Sequence, residues 1–92
     1  MGKTAVDLHD EVVDLLDVLQ GTRRRLTEIK HEFARLDPNK LEVDELGDAT
    51  TASAAMRAAR AGLSDTDRAL TLAQEAVYEA MRHTSRLRHT PS

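Results

Sequence analysis

Apolar residues recur along the first third of the chain at alternating intervals of three and four positions. The series begins at Ala5 and Leu8 and reaches Leu36, and Thr22 is its one polar member. This spacing is typical of the a and d positions of a helix that packs lengthwise against another helix. The pattern therefore predicts one helix over residues 4–36, about 50 Å long at 1.5 Å per residue.

The residues after this helix carry the signals of a turn. Pro38 restricts the preceding Asp37 to extended backbone, and Asp is a preferred residue for the N-cap of a helix. Pro itself is favoured at the first helical position, and Gly47 is suited to a helix C-terminus. We therefore expect a turn or a short helix over residues 37–47.

The same spacing returns at Ala49 and continues to Leu87 without a change of phase, which predicts a second helix over residues 48–88. Residues 62–64, Gly-Leu-Ser, instead favour a local break, because Gly weakens a helix and Ser commonly caps one. The preserved phase favours a single helix, whereas a break near 62–64 would make the chain a three-helix protein.

The distribution of charge predicts how the two helices lie. The formal charges sum to −4 over residues 1–20, +3 over 21–40, −4 over 41–67 and +2 over 68–92. An antiparallel hairpin that turns near residues 37–47 places opposite charges side by side, whereas a parallel arrangement places −4 beside −4. Exposed ion pairs contribute only ~0–1 kcal/mol each, so they select the orientation more than they stabilise it. We expect an all-α fold, a long antiparallel helical hairpin of the coiled-coil type.

Large apolar side chains would hold this hairpin together along a seam. The predicted seam residues are Leu8, Val12, Leu15, Leu19, Leu26, Ile29, Phe33, Met56, Leu63, Leu70, Ala73, Val77 and Leu87.

Helix 1 carries further apolar residues on both sides of that seam, and one partner helix cannot cover both. These residues are Val6, Val13, Leu16 and Val18. We expect them to form a second contact surface, either for a copy of the chain or for another helical protein. Pairing of two hairpins would produce a four-helix bundle. A third helix formed by a break near 62–64 is the alternative, because it would cover these residues within one chain.

Composition narrows the classes of function. The chain has 92 residues, a net charge of −3 and no Cys. It is therefore one small domain over residues 1–92, without a disulfide framework or a Cys-based zinc site. It contains no Gly-rich phosphate loop and no nucleophilic Ser motif. Its Glu-x-x-His pair, Glu28 and His31, faces away from the seam, and a di-iron bundle needs two such pairs. We expect no catalytic residues, no cofactor and no metal.

Binding to nucleic acid is an alternative suggested by three consecutive arginines, Arg23, Arg24 and Arg25. No stacking aromatic residues or DNA-binding motif accompany them, and the chain is mildly acidic. A small nucleic-acid-associated regulator is therefore the less favoured hypothesis. No stretch approaches the ~18 apolar residues of a membrane span, and the N-terminus lacks the apolar run of a signal peptide. We expect a cytoplasmic protein, or one exported without a cleaved signal peptide.

Two long predicted helices within 92 residues resemble the plan of the WXG100 proteins of type VII secretion. This resemblance implies a small exported helical hairpin. The predicted turn contains no Trp-x-Gly, and Tyr78 is followed four residues later by Arg82, where the family's C-terminal signal has Asp or Glu. The residues themselves favour a non-catalytic protein–protein interaction module, a self-associating hairpin that acts as a scaffold or adaptor.

Overall fold

A computed structural model describes residues 2–45, residue 47 and residues 50–91 of the chain. These residues form a helix α1 (Ala5–Ala34), a 3₁₀ helix (Pro38–Lys40) and a helix α2 (Ala52–Thr84), with no strand among them. The two long helices pack against each other in an elongated body of 70 × 24 × 17 Å. The predicted all-α helical hairpin is confirmed.

Capping side chains set the beginnings of both long helices. Thr4 Oγ1 accepts a hydrogen bond from the Asp7 amide at 3.1 Å, and the Asp7 carboxylate accepts one from the Thr4 amide at 3.1 Å. This reciprocal capping box satisfies amides that have no partner within the helix. Thr51 caps α2 in a similar way by accepting from the Ala54 amide at 3.1 Å.

The turn contains a 3₁₀ helix in place of the short α-helix that the sequence suggested. The Asp37 carboxylate accepts a hydrogen bond from the Asn39 amide at 3.0 Å, with Pro38 at the first helical position. Residues 41–45 have no helical structure. Residues 46, 48 and 49 lie outside the described residues, and so does the predicted start of helix 2.

α2 runs without interruption through residues 62–64, so the three-helix alternative is wrong. The Thr66 hydroxyl donates to the Gly62 carbonyl at 2.9 Å, four residues earlier in the helix. Gly within a helix costs only ~1 kcal/mol relative to Ala. Leu63 and Met56 contact α1 on either side of this point, and continuous packing along α1 outweighs that cost.

The face of α1 that contacts α2 is rotated from the predicted seam. Leu16, predicted in the second contact surface, is only 6% exposed and lies between the helices. Leu8 and Leu15, predicted in the seam, are 49% and 50% exposed. The residues that face α2 are therefore His9 and Leu16, four positions after Ala5 and Val12. The residues three positions after Ala5 and Val12, Leu8 and Leu15, are exposed instead.

This rotation has a physical reason that apolar spacing cannot reveal. The register that forms also repeats at intervals of three and four residues, but it includes polar His9 and Arg23 beside Leu16, so apolar spacing favours the other register. The register that forms brings polar side chains of the two helices together. The Nδ1 of His9 lies 2.7 Å from the Thr84 hydroxyl, and Nη1 of Arg23 donates to Oε1 of Gln74 at 2.6 Å.

The other predicted seam residues are buried or half-buried, with one exception. Leu26 and Met56 are buried, and the half-buried ones are Val12, Leu19, Ile29, Phe33, Leu63, Leu70, Ala73 and Val77. The exception is Leu87, which is exposed. α2 ends at Thr84, so Leu87 lies beyond the helix and does not follow its period.

Candidate functional site

Three large apolar side chains lie exposed on one side of α1. Leu8 and Leu15 are each about half exposed, and Val18 is 63% exposed. Leu8 and Leu15 are seven residues apart and Val18 follows three residues later, so helical geometry places all three on adjoining parts of one side. Leu8, Leu15 and Val18 form the α1 part of a surface that we call the apolar face. Glu11, four residues before Leu15 and seven before Val18, lies on the same side of the helix and pairs with Lys3.

A hydrogen bond between the two helices provides a reference for the position of the apolar face around the hairpin. Nε2 of Gln20 donates to the Tyr78 hydroxyl at 3.3 Å, which marks the opposite, polar side. At ~100° per residue, Leu8, Leu15 and Val18 lie about 120–160° around α1 from Gln20.

The same geometry identifies the α2 part of the apolar face. Ala73, Ala76 and Ala80 lie about 140–160° around α2 from Tyr78 at ~100° per residue. Ala76 and Ala80 are exposed, and Ala73 is half-buried at the edge of the seam. The apolar face therefore consists of large side chains on α1 beside small side chains on α2.

The residues predicted as the second contact surface do not form one surface. Leu16 is buried between the helices, and Val13 is half-buried. Val6 is exposed, but it lies two heptads before Gln20 and therefore on the polar side of the hairpin. Val18 alone of the predicted set belongs to the apolar face.

A polar cluster crosses the seam near its middle. Gln74 is only 8% exposed, and its Oε1 accepts the hydrogen bond from Arg23. Nε of Arg23 lies 3.6 Å from Oδ1 of Asp67, which is an ion-pair distance but too long for a hydrogen bond. That Nε is a buried donor without a hydrogen-bond partner among the described residues. Arg23 and Gln74 also line an open groove of about 450 Å³ together with Arg24.

This cluster changes the interpretation of the three consecutive arginines. From the sequence, Arg23 is a candidate phosphate contact, and Gln74 is not among the predicted seam residues. In the structure Arg23 donates a hydrogen bond to Gln74 across the seam, and Arg24 and Arg25 are exposed. His9, Leu16 and Arg23 follow one another at intervals of seven residues, which places them on one face of α1. This spacing is the sequence signal that could have placed Arg23 between the helices.

Neither a metal site nor a membrane span emerges from the described part of the chain. No group of three or more His, Asp or Glu residues there is arranged to hold a metal ion. The Glu79 carboxylate pairs with Arg82 at 2.9 Å and with His83 at 3.2 Å. Neither long helix is long and apolar enough to cross a membrane, as far as the structure describes them.

Comparisons of the chain with protein-family models, with curated proteins and with solved structures each gave no match.

Removing Arg23 tests the structural role of the polar cluster. In Arg23→Ala, the buried Oε1 of Gln74 loses its donor, and we expect the free energy of unfolding to fall by ~1–3 kcal/mol. Replacing both partners in Arg23→Met/Gln74→Leu removes the unsatisfied group and should recover most of that loss. Urea denaturation followed by circular dichroism measures both changes. Arg24→Ala is the control, since Arg24 is exposed, and a loss equal to that of Arg23→Ala would contradict this role.

Proposed function

We propose that the chain is a non-catalytic protein–protein interaction module, a helical hairpin that associates with itself and acts as a scaffold or adaptor. The apolar face is the observation that carries this proposal. Leu8, Leu15 and Val18 are exposed there, and no element in the described part of the chain covers them. Exposed apolar side chains that cluster on one side of a helix are typical of surfaces that bind another protein.

The accessible surface of the chain supports this function. It measures 7584 Å², whereas a compact monomer of 10.2 kDa exposes about 5,300 Å². The difference is about 2,300 Å², and a stable interface of standard size buries about 800 Å² on each partner. A single hairpin therefore has ample surface to contribute to a dimer.

The small core gives a second reason for association. Leu16, Leu26 and Met56 are the buried apolar side chains among the described residues, and none of these is fully buried. Additional burial of apolar side chains against a second chain would therefore add to the stability of the hairpin.

The molar mass in solution tests the proposed function. Light scattering on the purified chain at tens of micromolar should give twice the 10.2 kDa of one chain. Dilution should shift the mass toward one chain as the dimer dissociates. A strict monomer at every concentration, with no partner added, would contradict self-association.

A further inference from the structure

The apolar face has different side-chain sizes on its two helices, and this difference constrains how a second copy can dock. Cross-helix contacts show which residues lie level with each other: the Ala5 amide donates to His89 at 3.0 Å, and His9 contacts Thr84. Arg60 also reaches the Phe33 carbonyl at 3.3 Å. These three pairs of residue numbers add to 93 or 94, and those of the two hydrogen bonds described above, from Gln20 and from Arg23, add to 98 and 97. The residue numbers of level positions therefore add to about 95.

By this relation two of the three large side chains of α1 stand beside small side chains of α2. Leu15 is level with Ala80, and Val18 is level with Ala76, whereas Leu8 is level with residues 86–87, beyond the end of α2. The face therefore has a ridge along α1 and a groove along α2, both in the half of the hairpin that is far from the turn.

Two hairpins that stack their apolar faces can be related by either of two twofold axes. With an axis parallel to the helices, both turns lie at the same end and α1 of each copy packs on α2 of the other. With an axis perpendicular to the helices, the turns lie at opposite ends and α1 packs on the partner's α1.

Side-chain size favours the parallel axis. It places Leu15 and Val18 of one copy on Ala80 and Ala76 of the other, so that the ridge of each copy fits the groove of its partner. Small residues allow a neighbouring helix to approach closely, and interdigitation of large with small side chains fills the space between layers. The perpendicular axis places leucines on leucines and alanines on alanines, which crowds one half of the interface and leaves gaps in the other.

Charge favours the same axis. The parallel axis places residues 1–20, with a charge of −4, beside the partner's residues 68–92, with a charge of +2. The perpendicular axis places two −4 segments beside each other where the apolar faces overlap. Like charges across an interface disfavour the arrangement that brings them together.

We infer that the occupant of the apolar face is a second copy of this chain, docked with both turns at the same end and with α1 of each copy on α2 of the other. This inference rests on the proposed function and specifies its geometry. The product is a four-helix bundle in which every neighbouring pair of helices is antiparallel.

Site-specific crosslinking tests this orientation, and the chain has no native Cys to interfere. The reagents are three single-Cys variants, Val18→Cys, Ala76→Cys and Leu8→Cys, and a short bis-maleimide. After subunit exchange, the mixture of Val18→Cys with Ala76→Cys should crosslink several-fold more than either variant alone. The mixture of Val18→Cys with Leu8→Cys should crosslink no more than the single variants. The parallel axis places the two α1 helices, which carry these residues, diagonally across the four-helix bundle.

The possible results separate the orientation from the proposed function. Preferential crosslinking of Val18→Cys with Leu8→Cys, in a chain whose mass is that of a dimer, would overturn the inferred orientation and leave self-association intact. A dimeric mass with neither crosslink would overturn the assignment of the apolar face. A monomeric mass would overturn the proposed function itself. Adding Leu15→Asp to the Val18→Cys chain and to the Ala76→Cys chain should abolish the crosslink between them.

Discussion

Replacing Leu15 with Asp should convert the protein to a monomer without unfolding it. Leu15 is half exposed in a single hairpin, so the change removes little buried surface from the fold. In the proposed dimer it would place a carboxylate against apolar side chains in both halves of the interface. Desolvating a charge without a partner costs several kcal/mol. We expect the dissociation constant to rise at least ~100-fold, which corresponds to ~2.7 kcal/mol.

Light scattering and circular dichroism together measure this result. Leu72→Asp is the matched control, because it makes the same substitution at an exposed position of a helix. Leu72 is seven residues from both Asp65 and Glu79 and therefore lies on the charged outer side of α2. It should remain a dimer. Equal loss of mass in both variants would show that the apolar face is not the site of association.

A further variant distinguishes the apolar face from the surface that the sequence suggested. Val6→Asp changes an exposed residue of that predicted surface on the polar side of the hairpin. It should leave the mass unchanged if the apolar face forms the interface. Dissociation by Val6→Asp, with Leu15→Asp still dimeric, would restore the interface predicted from the sequence.

Replacing Leu26 with Asp should unfold the hairpin. Leu26 is buried between α1 and α2. The change leaves a cavity and a charge in an apolar contact, and we expect it to lower the free energy of unfolding by at least ~4 kcal/mol. A chain of this size has only ~5–14 kcal/mol in total. Circular dichroism should show loss of helix at low urea concentration.

Leu72→Asp again provides the control for this experiment. It should change the free energy of unfolding by less than ~1 kcal/mol, because only the helix propensity of an exposed position changes. A wild-type urea midpoint for Leu26→Asp would mean that α1 and α2 do not pack through Leu26. The contrast with Leu15→Asp is informative, because these two leucines belong to one predicted seam and the structure gives them different roles.

The elements of this fold could be predicted from local chemistry. Alternating apolar spacing indicated two long helices, and Asp37 before Pro38 indicated where the turn begins. Preserved phase through residues 62–64 correctly favoured one helix over two. Charge along the chain favoured antiparallel packing. Each of these signals acts between residues that are near in sequence or through sums over whole segments, so a single sequence is sufficient to read it.

The tertiary structure alone decided which side of α1 faces α2. Apolar spacing favours the register through Leu15. The register that forms differs by one position and places polar His9 and Arg23 beside Leu16. Contacts between residues far apart in sequence distinguish the two registers, since Arg23 meets Gln74 and His9 meets Thr84 only after the helices pack. The same choice left Leu8 and Leu15 on the surface. The location of the apolar face is therefore a consequence of register, which spacing within one helix cannot encode.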